Sequence, residues 1–374
     1  MEIASPSSRL ATRLSFFVAG FVMACWAPLV PFAKARVGAD EGQLGLLLLC
    51  LGVGSLIAMP VTGMVSARTG AKPMILLGGF ALALILPVLA LAGSPLSLGA
   101  ALLVFGASLG TIDVAMNIQS IEVEKAAGRP MLSGFHAMFS LGGVAGAGGM
   151  TLLLTLGLPP LPASVFAAVL AVLAIAVAMP RLPLIVAGEP PAFVLPRGIV
   201  LLIAVLAGIT FLVEGAMLDW GALLMQQRRV LAAEQAGMGY MMFSVAMTVG
   251  RLAGDRITAL LGPFRVLTLG AVLAIAGFVI IQTAGSPIAN LSGFGLIGIG
   301  AANIVPVLFS AAGRQSVMPA SLAIAAVTTV GYAGVLAGPA TVGFVSQHTS
   351  LPIAFWMLAA LLVLLPLSAR AVAR

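Results

Sequence analysis

The chain has 374 residues, of which 61% are hydrophobic and only 8% charged, with a mean hydropathy of +1.18. A water-soluble domain carries about a quarter charged residues, so this composition excludes one and defines an all-α polytopic membrane protein. The net charge of +7 does not mark a nucleic-acid face, because the basic residues sit singly in turns between apolar runs.

Apolar runs separated by Gly, Pro or charged breaks predict twelve transmembrane helices. The first six cover residues 14–33, 44–66, 73–92, 97–121, 131–156 and 163–180. The first run is long enough to remain as a helix and lacks the cleavage site of a signal peptide. Cys25 and Cys50 fall inside apolar runs, as buried small hydrophobes do, rather than as a disulfide pair. The second six cover residues 199–225, 236–254, 265–284, 288–312, 320–346 and 352–368. Between the two sets lies the longest polar break, with Pro183, Gly188, Pro190, Pro191 and Pro196. The domain prediction is therefore an N-terminal bundle over 1–180, a linker over 181–198 and a C-terminal bundle over 199–374. With the N-terminus inside, only Lys34, Arg36, Arg228 and Arg229 of the 18 basic residues fall outside. By the positive-inside rule both termini and the linker are cytoplasmic.

The two halves repeat. Cys25-Trp26-Ala27 precedes Glu41-Gly-Gln-Leu-Gly45, and Asp219-Trp220-Gly221 precedes Glu234-Gln-Ala-Gly237. The turns after the second and eighth helices read Gly63-Met-Val-Ser-Ala-Arg68-Thr-Gly70-Ala-Lys72 and Gly250-Arg-Leu-Ala-Gly-Asp255-Arg256. Gly110…Asp113 in the fourth helix matches Gly300…Asn303 in the tenth. Parallel six-helix repeats are a transporter architecture.

Those two turns resemble the loop signature of the major facilitator superfamily, and Gly334-Val-Leu-Ala-Gly338-Pro339 resembles its glycine-rich packing motif. The resemblance runs over the whole chain and implies twelve spans in two pseudo-symmetric six-helix bundles. The superfamily's acid in the first loop is Ala67 here, whereas Asp255 keeps it in the second copy, so a gate built on that charge is asymmetric. Asp113-Val-Ala-Met-Asn117 with Phe135-His-Ala-Met-Phe-Ser-Leu-Gly-Gly143 is similar to the fucose permeases. Glu214-Gly-Ala-Met-Leu-Asp219-Trp220 is similar to the rhizopine-transporter-like (MosC/YbjJ-type) branch.

Polar groups inside apolar helices carry the chemistry, since a charge at mid-bilayer costs about 3 kcal/mol. Asp113 and Asn117, four apart, share a helix face. A mid-helix carboxylate can load and release a proton as its hydration changes, and the fucose-permease resemblance implies that role for Asp113. Asn117 offers donors and an acceptor to a hydroxyl-rich solute. His136 titrates near neutrality and is a second proton candidate. Glu214 and Asp219, five apart, diverge by roughly 140°, so only a distorted helix aims both into one cavity. Glu214 lies deeper and is the third proton candidate; Asp219 lies nearer the outer end as a solute or gate group. Trp220 and its repeat mate Trp26 either stack on a sugar face or anchor at the interface. Asn303, the repeat mate of Asp113, is a solute candidate beside a helix that Pro306 can break. Arg68, Lys72, Arg251, Asp255 and Arg256 are expected to latch the turns as a gate. Close helix packing is expected at Gly142-Gly143, Gly146 and Gly149.

No Cys/His cluster, nucleophile constellation or phosphate loop is present in the sequence, so neither metal, cofactor nor enzymatic activity is expected. The reading is a monomeric inner-membrane carrier for a small sugar-, polyol- or inositol-like solute, coupled to protons by symport. A proton-antiport exporter of drugs or metabolites, for which Met217 and Met225 would serve, is the alternative.

Overall fold

The computed structural model describes residue 3 and residues 5–128, 131–184 and 195–373, apart from the side chains of Leu132, Ser133, Asp255, Ala320, Ser321, Ala325 and Leu336. Much of the expected linker, residues 185–194, thus lies outside the described residues, as do Arg129 and Arg374. Among the described residues the chain is helical, without strands. The first half comprises α1 (Pro6–Val37), α2 (Glu41–Thr69), α3 (Ala71–Leu91), α4 (Pro95–Ala127), α5 (Leu132–Thr155) and α6 (Pro160–Ala178). The second comprises α7 (Ile199–Gln227), α8 (Met238–Leu252), α9 (Gly254–Thr283), α10 (Pro287–Ala301), α11 (Ile304–Arg314), α12 (Ala320–His348), α13 (Leu351–Leu362) and α14 (Leu364–Ala373).

Ser-Pro pairs start three of these helices. Ser5, Ser94 and Ser286 each accept a backbone N–H on the first turn, and the following proline occupies the position whose own N–H would go unused. Prolines also divide two spans. Pro306 has no N–H for the Ala302 carbonyl, and the helix breaks at Ala302–Asn303, between α10 and α11. Pro366 likewise cannot serve the Leu362 carbonyl, and α13 gives way to α14 at Val363.

Eleven helical stretches are long and apolar enough to cross a membrane, counting α10 with α11 and α13 with α14 as one each. The 15-residue α8 is the twelfth element. Its neighbour α9 begins at Gly254, earlier than the residue 265 expected from hydropathy. The turn signature itself is helical up to Gly262, which takes φ 75° and ψ 160°, and Pro263 restarts the helix. Only glycine adopts that backbone without strain.

The described chain forms two compact units. One comprises Met1–Ala39, Leu47–Pro190 and Ala233–Gly237; the other comprises Asp40–Leu46, Pro191–Ala232 and Met238–Arg374. Two short segments therefore cross the sequence midpoint. Gly42 N, for example, donates to Gln347 Oε1 at 3.1 Å inside the second unit.

In the first unit, α1 packs along α5 with almost no side chain between them. A Cβ at Gly142 would lie 2.8 Å from the Phe21 amide nitrogen and closer still to the Phe17 carbonyl oxygen. Gly146 abuts the Phe21 carbonyl in the same way, whereas Gly143 and Gly149 have open space. Half of the expected glycine seam is thus a helix contact. The repeat mate of this seam is α7 on α12, where Gly334 meets the Gly208 carbonyl. Away from the seams α6 exposes Phe166, Val169, Leu170, Leu173 and Val177 at helical spacing, a face suited to lipid.

Candidate functional site

Each unit holds polar groups within its spans. In the first, Asn117 Nδ2 donates to the Asp113 carbonyl at 2.9 Å and to Asp113 Oδ1 at 3.3 Å. The spacing of four does put the two side chains on one face of α4, and both are half-buried. The Asn117 amide thus orients the Asp113 carboxylate from the same helix face. Gln119 points elsewhere: it is fully buried, and neither amide atom has a hydrogen-bond partner among the described residues. His136, in the first turns of α5, is exposed, with its ring edge-on to Phe16 at 5.1 Å. Trp26 is fully buried in α1, its indole N–H without an acceptor among the described residues. Cys25 beside it is a buried thiol, its Sγ 3.6 Å from the Gly146 carbonyl, and neither it nor Cys50 forms a disulfide.

The second unit is organised around an ion pair. Arg251 Nη2 on α8 lies 3.3 and 3.4 Å from the two carboxylate oxygens of Glu214 on α7. Arg251 was expected to latch a turn with its neighbours; its long side chain instead reaches across the α7–α8 hairpin. Asp219 and Trp220, a turn further along α7, are buried, and the Trp220 indole N–H, like that of Trp26, has no partner among the described residues. Tyr240 on α8 is hydrogen-bonded to Ser244 and lies in the electrostatic field of Glu214, Asp219 and Arg251. Asn303 occupies the break between α10 and α11, but its Nδ2 donates to the Gly250 carbonyl at 3.0 Å, tying that break to the end of α8.

The remaining gate candidates are less engaged. Arg68 and Arg256 are exposed and Lys72 half-buried, and none forms an ion pair with another described residue. The side chain of Asp255 lies outside the described residues. Two arginines that the sequence reading left unused do have a structural task. Arg36 at the end of α1 donates to the Leu89 carbonyl in the last turn of α3, and Arg228 after α7 donates to the Ala284 carbonyl after α9. They stand near corresponding ends of the two halves without being in register, since the tryptophan offset of 194 (220 − 26) sets Arg228 opposite Lys34, and each ties one helix to the carbonyl end of another. The signal was in the repeat: Trp26 to Arg36 spans ten residues (36 − 26), and Trp220 to Arg228 eight (228 − 220).

Twelve apolar helices in repeated halves, with carboxylates, an amide and a guanidinium held inside the spans, define a multi-pass membrane protein with polar groups at depth. The chain belongs to the Major Facilitator Superfamily, whose profile matches residues 13–320. That superfamily consists of transporters and is in general not enzymatic. The chain is 53% identical, over 98% of its length and 96% of the relative's, to an uncharacterized MFS-type transporter of Yersinia pestis. It is 27% identical to membrane protein MosC of Rhizobium meliloti, over 91% of this chain and 84% of MosC. Among solved structures, a mutant of nucleoside transporter NupG superposes with a TM-score of 0.79 at 14% identity, covering 98% of this chain and all (100%) of NupG, a likeness of fold alone.

Proposed function

We propose that the chain is a secondary carrier that moves a small polar, hydroxyl-rich solute across the inner membrane together with protons, by alternating access. Both termini are then cytoplasmic and the working unit is a monomer. The observation that carries this reading is the Asp113–Asn117 pair: a half-buried carboxylate midway along α4, oriented by an amide that itself can bond hydroxyls. The similarity of this stretch to the fucose permeases supports the same role for Asp113, and the MosC relationship supports the branch. Glu214 and His136 serve as further proton sites, with Asp219, Trp26, Trp220 and Asn303 as solute or positioning groups. Arg68, Lys72 and Arg256 of the two signature turns, with Asp255, act at the gate. The exporter reading loses ground because Met217 and Met225, which would greet a lipophilic cation, are both fully buried among helices.

Ligand stabilisation of the purified protein, with hexoses, inositols and polyols set against amphiphilic cations, identifies the cargo class. In proteoliposomes with that cargo, Asp113→Asn is expected to abolish accumulation driven by a proton gradient, at least tenfold, while counterflow exchange continues. Accumulation at the wild-type level in that variant refutes Asp113 as the coupling group.

A further inference from the structure

The ion pair of the second unit has no counterpart in the first. Trp26 and Trp220 set the offset between α1 and α7 at 194 (220 − 26), which places Glu214 opposite Gly20. The turn arginines Arg68 and Arg256 set an offset of 188 (256 − 68), which places Arg251 opposite Gly63. A six-helix unit of this kind therefore forms without either charge. Burying an ion pair costs desolvation that the attraction recovers only with tight, fully bonded geometry. This pair is loose. A single guanidinium nitrogen touches the carboxylate, at 3.3 and 3.4 Å, where a charge-assisted fork closes to about 2.7–2.9 Å. No other described hydrogen bond holds the guanidinium.

Depth decides what the open edge of Arg251 faces. Glu214 stands 13 residues before the end of α7 (227 − 214), and Arg251 stands 13 residues after the start of α8 (251 − 238). At 1.5 Å per residue Glu214 lies about 20 Å from either end of α7, whereas Arg251 stands one residue before the end of α8 at Leu252 and reaches that depth with its side chain. At such depth a guanidinium cannot face hydrocarbon, yet the Arg251 side chain is 36% exposed against 18% for Glu214. Its free N–H groups must face a hydrated space. The titratable groups on the packed elements are few. Asp219 on α7 and Tyr240 on α8 share the field, and α12 brings Tyr332 and, in its last turn, His348. On α9 stand Asp255, Arg256 and Arg265; Arg314 and Arg370 lie in the last turns of α11 and α14, and neither α10 nor α13 has a titratable residue.

We propose that Arg251 is the carrier's anion-binding arm, latched by Glu214 and released when Glu214 takes a proton, and that the cargo is accordingly a hydroxyl-rich carboxylate. The inference rests on the carrier reading above and adds the charge of its solute. The exchange balances: one proton neutralises the Glu214 carboxylate, and the guanidinium transfers its ion pair to the carboxylate of the solute. The Glu214 proton thereby offsets the charge of the monoanion. The planar fork of arginine fits a carboxylate with two parallel bonds, which the loose contact to Glu214 does not use.

The test is binding to the purified full chain, read as thermal stabilisation, with hexuronates and aldonates against matching hexoses and hexitols at pH 5.5 and pH 8. The wild type is expected to prefer acids over their neutral partners at least tenfold at pH 5.5 and less at pH 8. Glu214→Gln should keep the preference and lose its pH dependence, and Arg251→Gln should remove it. Because Arg251→Gln strands a half-buried carboxylate at mid-span, the double variant Glu214→Gln/Arg251→Gln, which leaves no charge there, repeats the measurement. Neutral sugars binding as well as acids, or an acid preference that survives in the double variant, overturns the anion arm and leaves the carrier reading in place. If neither acids nor neutral polyols bind, both fall.

Discussion

Replacing Gly142 by alanine tests the α1–α5 seam. The added methyl would lie 2.8 Å from the Phe21 nitrogen and 3.0 Å from the Phe17 carbonyl carbon, with the Phe17 oxygen nearer still. Ordinary contact between such atoms is about 3.5 Å, so α5 must retreat by roughly 1 Å along a backbone-to-backbone contact that no side-chain rotation relieves. Overpacking of this kind costs about 1–3 kcal/mol. Alanine also favours the helix over glycine by about 0.5–1 kcal/mol, which blurs a single measurement. Gly149→Ala supplies the correction, because it lies on the same helix with open space around its Cβ position and gains the same propensity. The difference between the two variants isolates the seam. Reversible unfolding in mixed micelles should find Gly142→Ala less stable than Gly149→Ala by about 1–3 kcal/mol. Equal stabilities within about 0.5 kcal/mol would show that the two helices are free to separate, and the packing argument would fail.

Other consequences are open to direct measurement. Gly262→Ala forces a side chain into a φ of 75° with ψ 160° and should destabilise the chain by about 1–3 kcal/mol, seen as a lower unfolding midpoint. Arg36→Gln and Arg228→Gln each remove a bond from a cation to a helix-end carbonyl and should cost about 0.5–1 kcal/mol apiece. Because the two lie in different units, the double variant should show their sum, and a marked departure from additivity would mean that they do not act locally. For transport, the decisive result remains accumulation in Asp113→Asn.

The architecture was legible because lipid punishes ambiguity. Every span must be apolar and internally hydrogen-bonded, so hydropathy alone marks the helices, and repeated landmarks such as Trp26 and Trp220 reveal the two halves. The face shared by Asp113 and Asn117 was also legible, since helical spacing is local. Helix ends were less so. Hydropathy placed the start of the ninth span near 265, where Pro263 restarts the helix after the kink at Gly262, but it missed the helical segment from Gly254 to Leu261, because a polar turn can be helical without being apolar. The partners of long side chains lay outside local reasoning altogether. Arg251 reads as one more basic residue in a turn signature, and the equal distances of Glu214 and Arg251 from the α7–α8 turn acquire meaning only once the hairpin is known.

By itself, then, the sequence determined what depends on composition and on neighbours along one helix: membrane residence, the number of spans, the duplication and the Asp113–Asn117 face. Tertiary structure decided what depends on two helices meeting. It put Arg251 on Glu214, committed the Asn303 amide to the Gly250 carbonyl and chose Gly142 and Gly146, rather than Gly143 and Gly149, as contacts. The reason is geometric. Spacing fixes direction around a helix axis, but which direction meets a partner is set by the rotation and crossing of a second helix, and no single segment encodes that.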